Sequence, residues 1–221
     1  VLSKNIEGNI GPGGVFLGLV KARQSDIRPT FLGQTDYVAF EVDLRTKNKT
    51  LTLAKTPLIP QGTPDAIPLV DLTPFGDPVK HYACRVKRLG VNGLFLGSRG
   101  STVPSEIGGK PIYAIFDTGS TGFGVSRDLF DALYQEQQEC DTKVPWDTVK
   151  VEIETEGGET RTISARRPLT FGVDLPWRHL DGHVIVLGLS FLDRACLTVD
   201  ADERRLAFTP AGQRSPMMWA Y

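Results

Sequence analysis

The stretch that most constrains this chain is Ile112-Tyr113-Ala114-Ile115-Phe116-Asp117-Thr118-Gly119-Ser120-Thr121-Gly122-Phe123-Gly124-Val125-Ser126. Residues 113–116 are apolar at consecutive positions, the pattern of a strand covered on both faces. An Asp follows at once, and a carboxylate at the mouth of an apolar strand is costly unless hydrogen bonds or a partner satisfy it. Gly119 then permits a backbone turn closed to larger residues. The stretch predicts a buried strand, an acidic loop and a return into a second strand. Asp, Thr and Gly would also suit a plain surface turn, but a feature further along the chain matches this one.

That feature is Val184-Ile185-Val186-Leu187-Gly188-Leu189-Ser190-Phe191-Leu192, followed by Leu197-Thr198-Val199-Asp200 and Leu206-Ala207-Phe208-Thr209. An apolar run broken by a single Gly points to a strand passing close to another piece of backbone. Together the two stretches resemble the aspartic proteases, whose lobes pair an apolar strand plus Asp-Thr/Ser-Gly with a later apolar-apolar-Gly segment crossing beneath it. The resemblance covers residues 110–210 through motifs, and residues 15–100 through order and spacing. It implies an all-β fold, an aspartic-protease-like β-barrel lobe with one or two short helices. It assigns Asp117 to one half of a catalytic pair and Thr118 to a hydroxyl-to-backbone link between lobes. Gly119 would allow close approach, and Ser120 would hydrogen-bond the outer carboxylate oxygen. Leu187 and Gly188 would support the loop from below.

The rest of the chain is organised around that unit. Residues 1–100 form a partial or divergent β region, either the end of a first lobe or an extension. Residues 101–210 form the lobe, and 211–221 an apolar tail ending Met217-Met218-Trp219-Ala220-Tyr221. Val15-Phe16-Leu17-Gly18-Leu19-Val20 repeats the apolar-Gly pattern. Residues 37–44 and 50–53 predict a hairpin around Arg45–Lys49, and His81–Leu89 a strand ending in a Val91-Asn92-Gly93 turn. After the Asp loop, Ser126 suits a helix N-cap, and Leu129, Phe130, Leu133 and Tyr134 share one helical face. Residues 149–155 and 160–164 predict a second hairpin turning at Gly157 and Gly158, either a flap over a cleft or a solvent-exposed hairpin.

Composition removes several classes of function. With 40% apolar residues, 23 Gly and 15 Pro, the chain suits a packed, turn-rich β protein over a disordered one. Its net charge of −1 and dispersed basic residues recommend no nucleic-acid partner. Three cysteines exclude a disulfide scaffold, and their spacing from the three histidines is not that of a zinc site, so neither metal nor other cofactor is expected. Gly-Ser120-Thr-Gly lacks the frame of a serine nucleophile elbow. Val1 in place of Met points to a processed or truncated chain, in a secretory or organellar setting sooner than a cytosolic one.

One carboxylate does not make a pair, and no second Asp-Thr-Gly or Asp-Ser-Gly occurs in the sequence. Three arrangements follow. In the first, a missing N-terminal piece, on a complementary chain or a longer precursor, carries the other Asp. In the second, two copies pair as a homodimer about a two-fold axis. In the third, the lobe is catalytically silent and serves as a binding or scaffold subunit of a larger assembly, such as an organellar membrane complex. On the first two the partner is a polypeptide substrate and the activity is acid endopeptidase.

Overall fold

The computed structural model describes residues 35–77, 80–93, 110–131, 133, 146–174 and 180–212, and the backbone of 9–11, 14–16, 94–95 and 106–107. The fold is all-β. Its strands are β1 (Asn9–Gly11), β2 (Gly14–Phe16), β3 (Ala39–Asp43), β4 (Thr50–Ala54), β5 (Ile67–Pro68), β6 (Ala83–Val91), β7 (Leu94–Phe95) and β8 (Glu106–Ile107). They continue as β9 (Lys110–Phe116), β10 (Phe123–Ser126), β11 (Thr148–Glu154), β12 (Thr160–Arg166), β13 (Thr170–Val173), β14 (His183–Leu187), β15 (Cys196–Asp200) and β16 (Arg205–Thr209). Two short α-helices follow strands almost at once, α1 at 127–131 after β10 and α2 (Leu189–Leu192) after β14, and a 3-10 turn spans Thr73–Phe75.

The larger sheet runs β12-β11-β6-β9-β14-β10-β13, with β7 added to β6 and β8 to β9. β9 lies inside it, antiparallel to β6 and parallel to β14, which is why its sequence is a continuous apolar run. The expected barrel does not close among the described residues. β12 pairs with β11 alone and β13 with β10 alone, so the path has two ends. β12 also alternates exposed and buried residues, as an outer strand with one wet face does.

Local turn chemistry explains the β6–β7 and β11–β12 hairpins. Asn92 and Gly93 both take left-handed backbone angles, φ 52° and 83°, which turns β6 into β7. Gly158, at φ 80°, turns β11 into β12 across seven paired residues. Ser126 stands at the N-cap position of α1, yet its hydroxyl accepts the Val184 amide across the sheet at 3.3 Å. Asp128 receives the Leu129 amide at 2.9 Å instead. The core is continuous under these elements. Phe123 packs edge-on to Trp146 at 5.8 Å and against Phe191 at 5.3 Å.

The smaller sheet, β4-β3-β15-β16-β5, joins the region before residue 70 to residues 196–209. Buried Asp200 accepts the amides of Leu58 and Ile59 at 2.7 and 2.9 Å, fastening the Pro-rich connection to β15. Burial raises its pKa above the ordinary 3.8, opposed by those two amides. A raised carboxyl value means the folded chain holds the proton more tightly than the unfolded one. Its stabilising share is therefore full below pH 3.8 and falls as the pH climbs through the folded value.

Asp71 behaves in the opposite way. Its carboxylate accepts the Thr73 hydroxyl at 2.5 Å and amide at 3.0 Å, and Arg204 at 2.7 Å. The Thr73 bonds first, then Arg204, hold its pKa below 3.8. Stability from a depressed carboxyl is present above the unfolded value and lost as pH falls through the folded one. Asp71→Ala is expected to cost about 1–2 kcal/mol in urea unfolding at neutral pH. The difference from the parent should shrink as the pH falls below 3.8 and through the lower folded value, where the charge on Asp71 is lost from both states. A cost independent of pH would show that packing, not charge, is what Asp71 supplies.

Candidate functional site

The Asp117 loop is locked to the crossing strand by backbone bonds at both ends. The Asp117 amide donates to Leu187 O at 3.1 Å as β9 ends beside β14. Beyond the turn, the Gly188 amide donates to Gly122 O at 3.0 Å, Leu189 to Ser120 O at 2.7 Å, and Ser190 to Thr121 O at 3.1 Å. The Ser190 hydroxyl adds a bond to Thr121 O at 2.7 Å. Residues 120–122 thus lie directly over Gly188. A Cβ there would fall 2.5 Å from Ser120 O and 2.6 Å from Gly122 O, closer than any side chain tolerates. The close passage expected at Gly188 is realised in these distances.

The loop presents Asp117 at the surface, with Thr118 half-buried and Gly119 exposed. The carboxylate accepts the Gly119 amide at 2.8 Å, and the Ser120 amide closes the turn on Asp117 O at 3.2 Å. Ser120 was expected to hold the carboxylate by its hydroxyl. Its contribution here is through the backbone, because an Asp carboxylate reaches the amide two residues on without cost, as in an Asx turn. Among the described residues no second carboxylate is hydrogen-bonded or ion-paired with Asp117.

Gly157 and Gly158 do not form a free flap. The Glu156 amide donates to Ala66 O at 2.7 Å and the Gly157 amide to Pro64 O at 3.0 Å. Glu156 also pairs with buried Arg205 at 3.1 Å, and Arg161 with Asp65 at 2.8 Å. A Gly-Gly turn signals how a chain reverses, not what lies against it. The hairpin end is held to the segment before β5.

Sequence reasoning missed Gly122. A Cβ at Gly122 would stand 2.2 Å from Leu169 O, so the chain entering β13 presses on the loop as closely as β14 does. That pressure brings Leu169 and Phe171, 68% and 39% exposed, alongside the Asp loop. The signal available was the second Gly of Gly119-Ser-Thr-Gly122, three residues on.

A metal-like trio occurs elsewhere. Glu41, Asp43 and Cys196 offer ligand atoms within 4.8 Å of one another. Their oxygens are already engaged: Glu41 accepts the Thr198 hydroxyl at 2.8 Å, and Asp43 accepts Arg45 at 2.7 and 2.9 Å. Burial first, then Glu41, pushes the Cys196 thiol up to about 12, against the thiolate a metal needs. Cys84 and Cys196 are both free and buried. Cys140, residues 17–20 of the first apolar-Gly run, and the tail from 213 lie outside the described residues. No helix among the described residues is long and apolar enough to cross a membrane.

No family model matches the chain, and no curated protein is significantly similar to it.

Proposed function

We propose that the unit spanning 110–209 is an aspartic-protease-like lobe and supplies one catalytic half of an acid endopeptidase, with Asp117 as its carboxylate. The observation that carries this reading is the crossing of Leu187-Gly188 beneath residues 117–122. It spends two glycines and a set of backbone bonds on holding one exposed carboxylate rigidly, more than a surface turn requires. Preorganisation of this kind is what a reacting group needs and a plain loop does not.

The chemistry requires a second carboxylate beside the first. Two such groups share one proton, because like charges at that range cannot both ionise. The ionised member takes a proton from water as the water attacks the peptide carbonyl. The protonated member donates a hydrogen bond to the carbonyl oxygen and then passes its proton on toward the leaving amine. Their titration belongs to the pair, which places activity in acid. Thr118 and Gly119 are positioning residues in this scheme, and an extended polypeptide is the substrate.

A catalytically silent scaffold is the competing reading, favoured by the lack of a second acid at Asp117 among the described residues. Acid peptidase assays on the protein isolated from its source separate the two. Cleavage that depends on Asp117 supports the endopeptidase, and an intact assembly without cleavage supports the scaffold.

A further inference from the structure

The ladder between β6 and β9 brings a second titratable side chain to the Asp117 loop. Ala83 lies opposite Ile115, and the Phe116 amide donates to Tyr82 O at 3.3 Å, which carries the pairing one residue past β6. One step further sets His81 across from Asp117. The amides agree with that step, because successive pairs in an antiparallel ladder point alternately toward and away from each other. Asp117 sends its amide away, to Leu187 O at 3.1 Å, and His81 sends its own to Asp77 Oδ2 at 2.6 Å. Residues so opposed present their side chains on one face, with Cβ atoms about 5 Å apart. Asp77, whose side chain is fully buried, also holds His81 Nδ1 at 2.8 Å. A buried carboxylate thus fixes the orientation of the ring.

His81 also forms part of the wall of a cleft of about 320 Å³, whose apolar side is Leu69, Val70 and Tyr82. Nearly all the charges around it are committed within the fold. Arg204 pairs with Asp71 at 2.7 Å and His81 with Asp77. Asp202 lies near Tyr82, whose phenol is pushed up by burial first and by that charge second. Lys80 is the exception. It lines the cleft, is exposed, makes no ion pair among the described residues, and acts on the Asp71 carboxylate only at longer range. Its backbone is left-handed, φ 55°, a conformation unfavourable for a residue with a Cβ. Strain of this kind gathers at binding and catalytic sites.

Resting on the endopeptidase reading, we propose that this cleft takes an acidic side chain of the polypeptide substrate, with Lys80 and His81 as specificity-determining residues. The charge of Lys80 is answered by a substrate carboxylate, since no carboxylate among the described residues pairs with it. At the acid pH that reading calls for, an imidazole is a cation and adds a second charged donor. Asp202 repels a carboxylate from the Tyr82 end and so confines it to the Lys80–His81 end. Leu69 and Val70 receive the methylene part of the side chain. His81 stands one strand position across from Asp117, so the acidic residue falls within about three residues of the scissile bond.

The test compares kcat/KM of the assembled protein for peptides that differ only as Glu or Gln at each position flanking the cut, at about pH 5.5, where a peptide Glu is ionised. The expected result is a preference for Glu of about tenfold at one position. Lys80→Asn removes the charge and suits the left-handed backbone, so it should bring that ratio near unity with the thermal midpoint unchanged. Lys80→Glu should move the preference to a peptide with Lys there, and His81→Gln should lower the Glu preference by roughly threefold. Equal rates for Glu and Gln at every position overturn the proposal and leave the endopeptidase reading standing. So does a Glu preference that both Lys80 variants retain. Where nothing is cleaved, binding of the same peptide pairs is followed by fluorescence anisotropy. Glu-selective binding that Lys80→Asn abolishes upholds the cleft and removes the endopeptidase reading. Binding indifferent to Glu, or no binding, overturns the proposal as well.

Discussion

Asp117→Asn is expected to remove acid peptide hydrolysis by the assembled protein, by about three orders of magnitude, while leaving its thermal midpoint in place. The two halves of that result have separate causes. Asn keeps the shape and the oxygen that accepts the Gly119 amide at 2.8 Å, and the side chain is exposed, so folding loses little. The proton chemistry is lost entirely, because an amide neither takes a proton from water nor shares one with a second carboxylate. Asp181→Asn is the matched control. That Asp also stands at the surface, ion-paired to Lys110 at 3.5 Å, and its loss should change neither readout. The parent's rate should follow a bell in the acid range with two apparent values belonging to the pair. Activity that survives Asp117→Asn would remove this carboxylate from the mechanism. Activity lost together with a lowered midpoint would make its role structural.

How much of this was readable beforehand follows from what each signal encodes. β9 and β14 were legible because a strand covered on both faces must be apolar at every position, and 113–116 and 184–187 are. The crossing was legible because Gly188 interrupts such a run without any turn residues beside it. The β6–β7 and β11–β12 hairpins declared themselves through Asn92-Gly93 and Gly157-Gly158. What strands do not declare is their partner. Phe40 and Val42 announce a buried face, but nothing in them names β15 as the strand alongside. The same gap hid the attachment of the hairpin end to residues 64–66, and hid Gly122, whose constraint comes from Leu169 just before β13. Ser120 differs from expectation for another reason. A hydroxyl and a backbone amide both satisfy a carboxylate, and only the turn's geometry decided for the Gly119 amide.

Gly188→Ala should be the most damaging single-methyl change in the loop region, costing about 3 kcal/mol in urea unfolding. Two separate properties can demand glycine, and here only one applies. Gly188 has φ −88° and ψ −165°, an extended backbone open to any residue, so the change creates no torsional penalty. The cost is contact. The new methyl would meet Ser120 O at 2.5 Å, Gly122 O at 2.6 Å and Ser120 C at 2.8 Å, all backbone atoms that cannot rotate aside. Relief requires the loop and β14 to separate, which stretches the Gly188–Gly122 and Leu189–Ser120 hydrogen bonds together. Gly212→Ala isolates the other property, since its φ is 85° with open space around it, and should cost only about 1–2 kcal/mol. Catalysis should fall further than stability in Gly188→Ala, because lifting residues 120–122 tilts Asp117 away from its partner before the lobe unfolds. Under conditions where the variant is still folded, the rate should already be down about a hundredfold, a loss in line with small misplacements of reacting groups. A variant within about 1 kcal/mol of the parent would mean that the loop does not rest on Gly188, and the support assigned to the crossing strand would have to be abandoned.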